Sequence, residues 1–247
     1  MTGGPSTRWG SRSGGSRGRR TWGERELDAL TRFAPGVVVE AVTTDAKPAA
    51  QRTSGRVAAA MALHALGVAE TRVGRDDLGR PIWPHGSLGS ISHGAGLAVA
   101  AVSTTARHLA VGVDVERRGA LPLADALVVL SRRERALVVG LPGREADELA
   151  TALWSAKEAA FKAWDAWSGG LLSGVDPTDL TIEPQPGGAL SVRPSPTLVL
   201  ELARRSIPGP PALRGGAVRL GAATVSLLVA CRGDWVVSGR RGVGSRS

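Results

Sequence analysis

Runs of apolar residues separated by glycine and proline predict the elements of the first part of the chain. "GVVVEAV" (36–42) predicts a short strand, and the alanine-rich "SGRVAAAMALHALG" (54–67) predicts a helix that ends at Gly67. Glycine and proline punctuate residues 74–90 and exclude a long regular element there. The next segment, "ISHGAGLAVAAVS" (91–103), predicts two short strands around a glycine turn.

The pattern after residue 106 predicts a second group of strands and helices. Strict alternation in "LAVGVDVE" (109–116) predicts a strand, and two helical patterns follow near 123–139 and 145–167. Four later segments predict strands divided by turns: "LTIEP", "ALSVRP", "TLVLELA" and "AATVSLLVACRGDWVV". Strand–helix–strand groups thus occur twice, which predicts an α+β protein.

Positive charge is concentrated at the two ends of the chain. The formal net charge is +9, but residues 1–23 contain five arginines and residues 236–247 contain three, with no acid in either segment. Subtracting these eight from +9 leaves +1 for residues 24–235. This balance argues against a specific nucleic-acid groove, although the basic ends could bind nucleic acid weakly. No run of about 18 apolar residues occurs, so we expect no membrane span.

Composition also indicates where the domains begin and end and in which cellular compartment the protein lies. Residues 1–23 are rich in Gly, Ser and Arg without an apolar period, so we expect a disordered tail. That tail lacks the apolar core of a secretory signal, and a transit peptide is the alternative. We expect two subdomains, 24–106 and 107–238, followed by a basic tail at 239–247. The single cysteine, Cys231, excludes an internal disulfide and a cysteine zinc site, and favours a reducing cytoplasm.

Two carboxylates share one face of the predicted strand 109–116. Period two places Gly112, Asp114 and Glu116 on that face and aliphatic residues on the other. Carboxylates one pleat apart repel each other and resist ionisation unless a cation lies between them. Oxygen ligands without His or Cys favour Mg²⁺, and Glu158 could supply a third carboxylate. The alternative is that the two acids form the solvated face of an edge strand.

The segment "WSAKEAAFKAW" (154–164) predicts a helix with chemistry on one face. Trp154, Glu158 and Lys162 share that face at i, i+4 and i+8 spacing. The chain has 31 basic residues, yet it uses lysine only three times, and Lys157 and Lys162 are two of these. Where arginine is the default cation, this choice indicates that a compact ammonium is needed. The alternative is an exposed salt bridge between Glu158 and Lys162.

Arginine and histidine near small residues form a second candidate site. Ser90 and His93 lie in "GSISH", where a ligand could approach the backbone, and Arg75 and Arg80 lie upstream. Arg56 is expected to open the alanine-rich helix near its positive end. This set predicts phosphate binding without a P-loop. The alternative for His93 is a hydrogen-bonded, half-buried structural histidine.

Taken together, these segments resemble the 4′-phosphopantetheinyl transferase superfamily, in particular its larger two-subdomain members that serve siderophore, polyketide and nonribosomal peptide synthesis. "GVDVE" (112–116) matches the family pattern Gly-aliphatic-Asp-x-Glu. "WSAKEAAFK" (154–162) matches Trp/Phe-Ser/Cys/Thr-x-Lys-Glu-Ala/Ser-x-x-Lys without a gap. "GRPIWPHGSLGSISH" (79–93) matches the stretch that leads to the family's histidine. The likeness covers most of residues 25–240.

The resemblance implies two similar α+β subdomains related by a pseudo-twofold axis, with the active site at their interface. It implies transfer of the 4′-phosphopantetheine group of coenzyme A to a serine hydroxyl of an apo acyl or peptidyl carrier protein, with release of 3′,5′-ADP, by a cytoplasmic monomer. Asp114, Glu116 and Glu158 would hold Mg²⁺ on the pyrophosphate. Glu158, or a water on the metal, would take the serine proton, and Lys162 would neutralise phosphate charge.

The resemblance also implies a coenzyme-binding set: Arg56, Arg75, Ser90, His93, Lys157 and Lys162. One departure from the family lies at residues 47–56, where Pro48 and Gln51 stand in a segment that usually carries a basic run followed by an acidic and an aromatic residue. Lys47 or Arg52 would then supply the missing phosphate contact. Two other classes are a non-catalytic relative that docks carrier proteins and a nucleic-acid binder that uses its tails. The presence of every motif carboxylate and lysine favours the enzyme.

Overall fold

A computed structural model describes residues 24–172 and 175–232, so the predicted tails 1–23 and 239–247 lie outside the described part of the chain. This part contains six α-helices and ten strands, and none of these helices is long and apolar enough to cross a membrane. The helices are α1 (Glu24–Thr31), α2 (Pro48–Ala65), α3 (Leu123–Val129), α4 (Arg132–Val138), α5 (Gly143–Trp167) and α6 (Pro196–Arg204). The strands are β1 (Val38–Thr43), β2 (Gly74–Arg75), β3 (Pro81–Ile82), β4 (Ser87–Gly94), β5 (Leu97–Thr104), β6 (His108–Arg117), β7 (Leu180–Pro184), β8 (Ala189–Pro194), β9 (Leu213–Leu220) and β10 (Ala223–Cys231).

The two large sheets repeat one strand order. The first sheet has the order β1-β5-β4, and the second has β6-β10-β9, which β8 and β7 extend. In each half the first strand leads to a long helix, α2 or α5, that packs on that strand and on the strand beside it. The prediction of an α+β fold with two similar halves is thereby confirmed. The boundary at residue 106 falls in the turn between β5 and β6, and separate subdomains stay a prediction.

Strand β6 lies where the two halves meet and is buried on both faces. Val111, Val113 and Val115 pack in one apolar cluster with residues of β1, β5 and β10. On the opposite face, a Cβ added to Gly112 would overlap the carbonyl oxygen of Ala159 in α5. Glycine is therefore needed at this position because the helix touches the strand backbone.

Strand β4 of the first half also meets β6 through the backbone. A Cβ added to Gly94 would overlap the carbonyl oxygen of Val115. The backbone of β6 is thus in direct contact with both halves, through β4 on one side and α5 on the other.

Helix α2 begins earlier than the sequence predicts. It starts at Pro48 rather than at residue 54, and the extended residue before it is Lys47. Proline fits the first helical position, since its fixed φ suits the helix and its missing N–H is not required there. Arg56 therefore lies about two turns inside the helix and does not open it, which corrects the placement near the positive helix end.

The single helix predicted near 123–139 is divided into α3 and α4. Ser131 caps α4 by accepting a hydrogen bond from the backbone N–H of Glu134, whose side chain accepts one from the N–H of Ser131. This reciprocal capping box starts a new helix where the apolar period alone continues the old one.

One predicted strand is a helix, and some elements were missed. "TLVLELA" (197–203) was expected as a strand, but it lies in α6, which Ser195 caps and in which Leu198 and Leu202 are buried one turn apart. Strand β9 and helix α1 were not predicted. In β9 the pair Gly215–Gly216 interrupts the apolar pattern, because these glycines leave room for the backbone of β10 and for a phenylalanine ring.

Candidate active site

Asp114 and Glu116 of β6 face helix α5, as the alternation of the strand predicts. Asp114 is only 4% exposed, and Glu116 is partly buried and hydrogen-bonded by the side chain of Trp154. The alternative of a solvated edge strand is wrong, because α5 and β4 cover β6. Glu158 lies one helical turn from Trp154 and faces the same strand. The electrostatic coupling of Glu158 to Asp114 places it at the same cluster.

Lys162 links this cluster to the first half of the molecule. Its Nζ lies 2.7 Å from Oδ1 of Asp114 and 3.0 Å from Oγ of Ser92, and the Ser92 hydroxyl donates to the same Asp114 oxygen at 2.9 Å. The partner of Lys162 is thus Asp114, so the predicted surface salt bridge with Glu158 is not the arrangement here. The Lys162 side chain remains 29% exposed, which leaves its ammonium accessible from the cleft.

Ser92 belongs to this network although the sequence interpretation did not select it. The signal was present, since period two on β4 places Ser90 and Ser92 on one face, and both are buried. Only the packing of β4 against β6 shows that this face meets Asp114.

The carboxylates of the cluster disfavour one another's ionisation. Burial first, and then the charge of Asp114, raises the pKa of Glu116, which Lys162 and Trp154 partly offset. Burial likewise raises the pKa of Glu158, with Lys162 lowering it and Asp114 raising it further. A bound cation would relieve both shifts, because it stabilises the ionised forms.

The donor set fits a hard divalent cation such as Mg²⁺. All three candidate ligands are carboxylates, and Oδ2 of Asp114 is buried without a hydrogen-bond partner. The side chains are nevertheless not gathered around one point: within residues 24–172 and 175–232, no three acidic, His or Cys side chains are placed to hold a metal ion. One oxygen of Asp114 is instead taken by Lys162 and Ser92.

Lys157 points away from this cluster, which corrects its assignment to the coenzyme site. Its ammonium is 1% exposed and lies 2.8 Å from Oε2 of Glu134, which is fully buried. It also donates to the carbonyl oxygens of Pro177, at 2.8 Å, and Leu180. Oε1 of Glu134 in turn accepts the backbone N–H of Ile182 at 2.6 Å. Lys157 therefore joins α5 to α4 and β7 inside the second half.

The predicted phosphate-binding residues divide between the two faces of β4. Burial, and then the nearby guanidinium of Arg75, lowers the pKa of Arg56, so these two arginines lie close together. His93 is exposed rather than half-buried and shares its face of β4 with Ile91, which packs against Gly55 of α2. Ser90 lies on the other face.

Residues 47–56 depart from the family pattern, and both candidates for the missing phosphate contact there lie on the surface. Lys47 precedes α2 and Arg52 lies in its second turn, and both side chains are exposed. Neither side chain has a hydrogen bond or an ion pair among those found in the described residues. A role in phosphate binding for either one stays a prediction.

A cavity of about 440 Å³ lies between the two halves beside Lys162. Its walls are mostly apolar and come from β3, β4, β6 and α5, and Ser90 lines it. A cleft of this size with a few polar groups at its edge is the usual form of a small-molecule site. Its lining includes the apolar or aromatic residues Trp83, Ile91, Leu109 and Phe161 and the charged residues Arg80, Lys162 and Asp165.

Comparisons with known proteins match both halves of the chain. The family model described as "4'-phosphopantetheinyl transferase N-terminal domain" matches residues 41–103, and that of the "4'-phosphopantetheinyl transferase superfamily" matches residues 110–207. The chain is 36% identical over 133 residues to 4'-phosphopantetheinyl transferase Svp of Streptomyces mobaraensis. This alignment covers 53% of this chain and 54% of that protein. It is 37% identical over 122 residues to enterobactin synthase component D of Salmonella typhi, which covers 48% and 49%.

The chain spans about half the length of the curated relatives it matches. Among solved structures, the holo-[acyl-carrier-protein] synthase of Thermotoga maritima matches with a TM-score of 0.33 and 20% identity, over 49% of this chain and 62% of that one. That likeness is too slight for a comparison of sites.

Proposed function

Because the chain belongs to the 4′-phosphopantetheinyl transferase superfamily, we propose that it transfers 4′-phosphopantetheine from coenzyme A to a serine hydroxyl of an apo acyl or peptidyl carrier protein, releasing 3′,5′-ADP. The observation that carries the proposal is the cluster in which Lys162 meets Asp114 beside two carboxylates of raised pKa. This cluster borders a cavity of about 440 Å³ between the halves. By the same resemblance we propose a monomeric, cytoplasmic enzyme.

The reaction requires positive charge on the pyrophosphate and an acceptor for one proton. The serine oxygen forms a bond to the phosphorus that bears the pantetheine arm, and the bond from that phosphorus to the bridging oxygen breaks, so 3′,5′-ADP leaves. Lys162 is suited to bind the pyrophosphate, since its ammonium is accessible from the cleft and already bonds an anionic oxygen. Mg²⁺ bound by Asp114, Glu116 and Glu158 would supply further positive charge at the bridging oxygen.

Glu158 is the proposed acceptor of the serine proton. Burial raises the pKa of its carboxyl, which makes the carboxylate a stronger base than an exposed glutamate. Its position one turn before Lys162 puts the base next to the group that binds phosphate. A serine hydroxyl that approaches a pyrophosphate bound by Lys162 would therefore approach this carboxylate as well.

Arg56 and Arg75 are proposed to bind the 3′-phosphate of coenzyme A. Burial, and then the charge of Arg75, lowers the pKa of Arg56, and neither arginine has an ion-pair partner among those found in the described residues. Two adjacent, uncompensated guanidinium groups favour a dianionic ligand. His93, exposed on the α2 side of β4, is a further candidate for the same phosphate.

The proposal is tested by incubating the protein with coenzyme A, Mg²⁺ and a panel of apo carrier proteins from fatty-acid, polyketide and peptide pathways. We expect the intact mass of at least one carrier to rise by one phosphopantetheine group. Glu158→Gln should lower kcat by about 100-fold, because the amide neither accepts the proton nor holds the metal. Glu145→Gln, an exposed change on the same helix, is the matched control and should retain full activity. An unmodified panel would disprove the proposal.

A further inference from the structure

Asp165 lines the cavity between the halves and has one carboxylate oxygen that no donor satisfies. It lies three residues after Lys162 on α5. Among the described residues, its Oδ1 is buried and has no hydrogen-bond partner. A buried carboxylate oxygen without a donor costs free energy, so its presence in a cavity wall requires an explanation.

Arg80 does not satisfy this oxygen. Its Nε lies 2.7 Å from Oδ2 of Asp76, and Nη1 donates to the carbonyl oxygen of Gly169 at 3.3 Å. The guanidinium therefore bridges the two halves at the cavity edge through two of its donors, and none of its donors bonds Oδ1 of Asp165. It attracts Asp165 only across a longer distance, and the pKa of Asp165 stays raised, first by burial.

Donors do line the cavity, from Ser90, Arg80 and Lys162, but none of them bonds Oδ1 of Asp165. Much of the remaining wall is apolar or aromatic and comes from Trp83, Ile91, Leu109 and Phe161. An unpaired acceptor in such a wall acts as a selective contact, because a ligand with a donor there gains a bond while one without a donor leaves the group unpaired.

We propose that Asp165 is a specificity-determining residue that accepts a hydrogen bond from a neutral N–H or O–H group of the bound coenzyme, next to its pyrophosphate. This inference rests on the proposed function. Three residues along a helix correspond to a rise of about 4.5 Å, so the donor lies within a few bonds of the phosphate that Lys162 binds. Coenzyme A carries such donors on both sides of the pyrophosphate: the hydroxyl and amides of the pantetheine arm, and the ribose hydroxyl and adenine amine of the nucleotide.

Asp165→Asn tests the proposal with little change of shape. The substitution replaces one carboxylate oxygen by an NH₂ group, which donates hydrogen bonds and accepts none. A donor then faces the donor of the ligand, and we expect the Kd for coenzyme A, measured by titration calorimetry, to rise by about tenfold or more. Asp165→Ala removes the acceptor without adding a donor and should weaken binding less than the amide does.

Asp77→Asn is the matched control. It removes one negative charge from the same hairpin as Arg80, but its side chain is exposed and does not line the cavity. Its Kd for coenzyme A should equal that of the parent. A loss of affinity in this control equal to that of Asp165→Asn would show that the effect is not specific to the cavity wall and would overturn the proposal.

Two partial ligands locate the donor. If it belongs to the pantetheine arm, Asp165→Asn weakens binding of 4′-phosphopantetheine and leaves 3′,5′-ADP unaffected; if it belongs to the nucleotide, the reverse holds. Equal affinity of parent and variant for coenzyme A and for both partial ligands would overturn the proposal while the parent still modified its carrier. A parent that neither bound coenzyme A nor modified a carrier would instead remove the proposed function, and this inference with it.

Discussion

Helix α5 has two polar faces that differ in what they contact. On one face Lys157 pairs with Glu134 inside the second half, and both side chains are essentially inaccessible, at 1% and 0%. On the other face Lys162 pairs with Asp114 at the junction of the halves and remains 29% exposed. The two lysines are five residues apart in one motif, and their distances to the partner carboxylate are nearly equal.

One motif therefore combines a structural lysine with one that is suited to function. Every bond of Lys157 goes to the protein: one carboxylate and two backbone carbonyl groups. Lys162 bonds Asp114 and Ser92 from a cavity edge, where a ligand can replace these partners. A buried, fully bonded ammonium holds helices in place, whereas a partly exposed one can exchange partners during a reaction.

The largest expected effect comes from breaking the buried pair. Glu134→Ala should lower the free energy of unfolding by roughly 3–5 kcal/mol, because it leaves the Lys157 ammonium without a counter-charge. It also removes the acceptors of two backbone N–H groups. Urea unfolding followed by circular dichroism measures the loss, and the exposed Glu145→Ala on α5 should cost less than about 1 kcal/mol. Equal midpoints for parent and Glu134→Ala would show that the pair is not structural.

Exchanging lysine for arginine on each face should separate the two roles. Lys157→Arg must fit a broader guanidinium into a closed site and should cost about 1–3 kcal/mol of stability. Lys162→Arg has room at the cavity edge, so its melting temperature should stay near that of the parent while kcat falls by about tenfold. Thermal unfolding and carrier-modification rates on both variants test this, and the reverse pattern would invalidate the comparison.

The weakest effect that we expect is a pH dependence of folding stability, and it comes from Glu158, which shares a face of α5 with Lys162. Burial raises the folded-state pKa of Glu158 above its ordinary value of 4.5, so the folded state binds more protons than the unfolded state between these values. Stability from this group is therefore present at low pH and is lost as pH rises through the folded pKa. Relative to the parent, Glu158→Gln should gain stability over that range, and saturating Mg²⁺ should narrow the gap by stabilising the parent. A constant difference from pH 4 to pH 8 would contradict the expectation.

The sequence predicts the central elements of the fold better than its peripheral ones. The strict alternation of β6 and the long apolar period of α5 are reinforced by tertiary burial, so pattern and structure agree. Errors arise where local signals compete with periodicity, as when Ser195 and Pro196 start a helix in a β-branched segment. A capping box at Ser131 likewise divides one helical pattern into two.

The candidate site shows the same limit of sequence information. Spacing alone brings Asp114 and Glu116 to one face of a strand, and Glu158 and Lys162 to one face of a helix. It does not show that Lys157, one residue before Glu158 and about 100° around the helix, turns toward the buried Glu134. Nor does it reveal Ser92, because its contact with Asp114 depends on the packing of distant strands.

The close glycine contacts on both sides of β6 decide which residues of this protein can be substituted without disturbing the site. Asp114 lies between Gly112, which touches α5, and the backbone of Val115, which touches Gly94. Backbone atoms rather than side chains thus define where this carboxylate stands. Large residues elsewhere in the apolar clusters can be exchanged for others of similar volume without moving Asp114. The core residues can therefore change in evolution while the distances within the site stay the same.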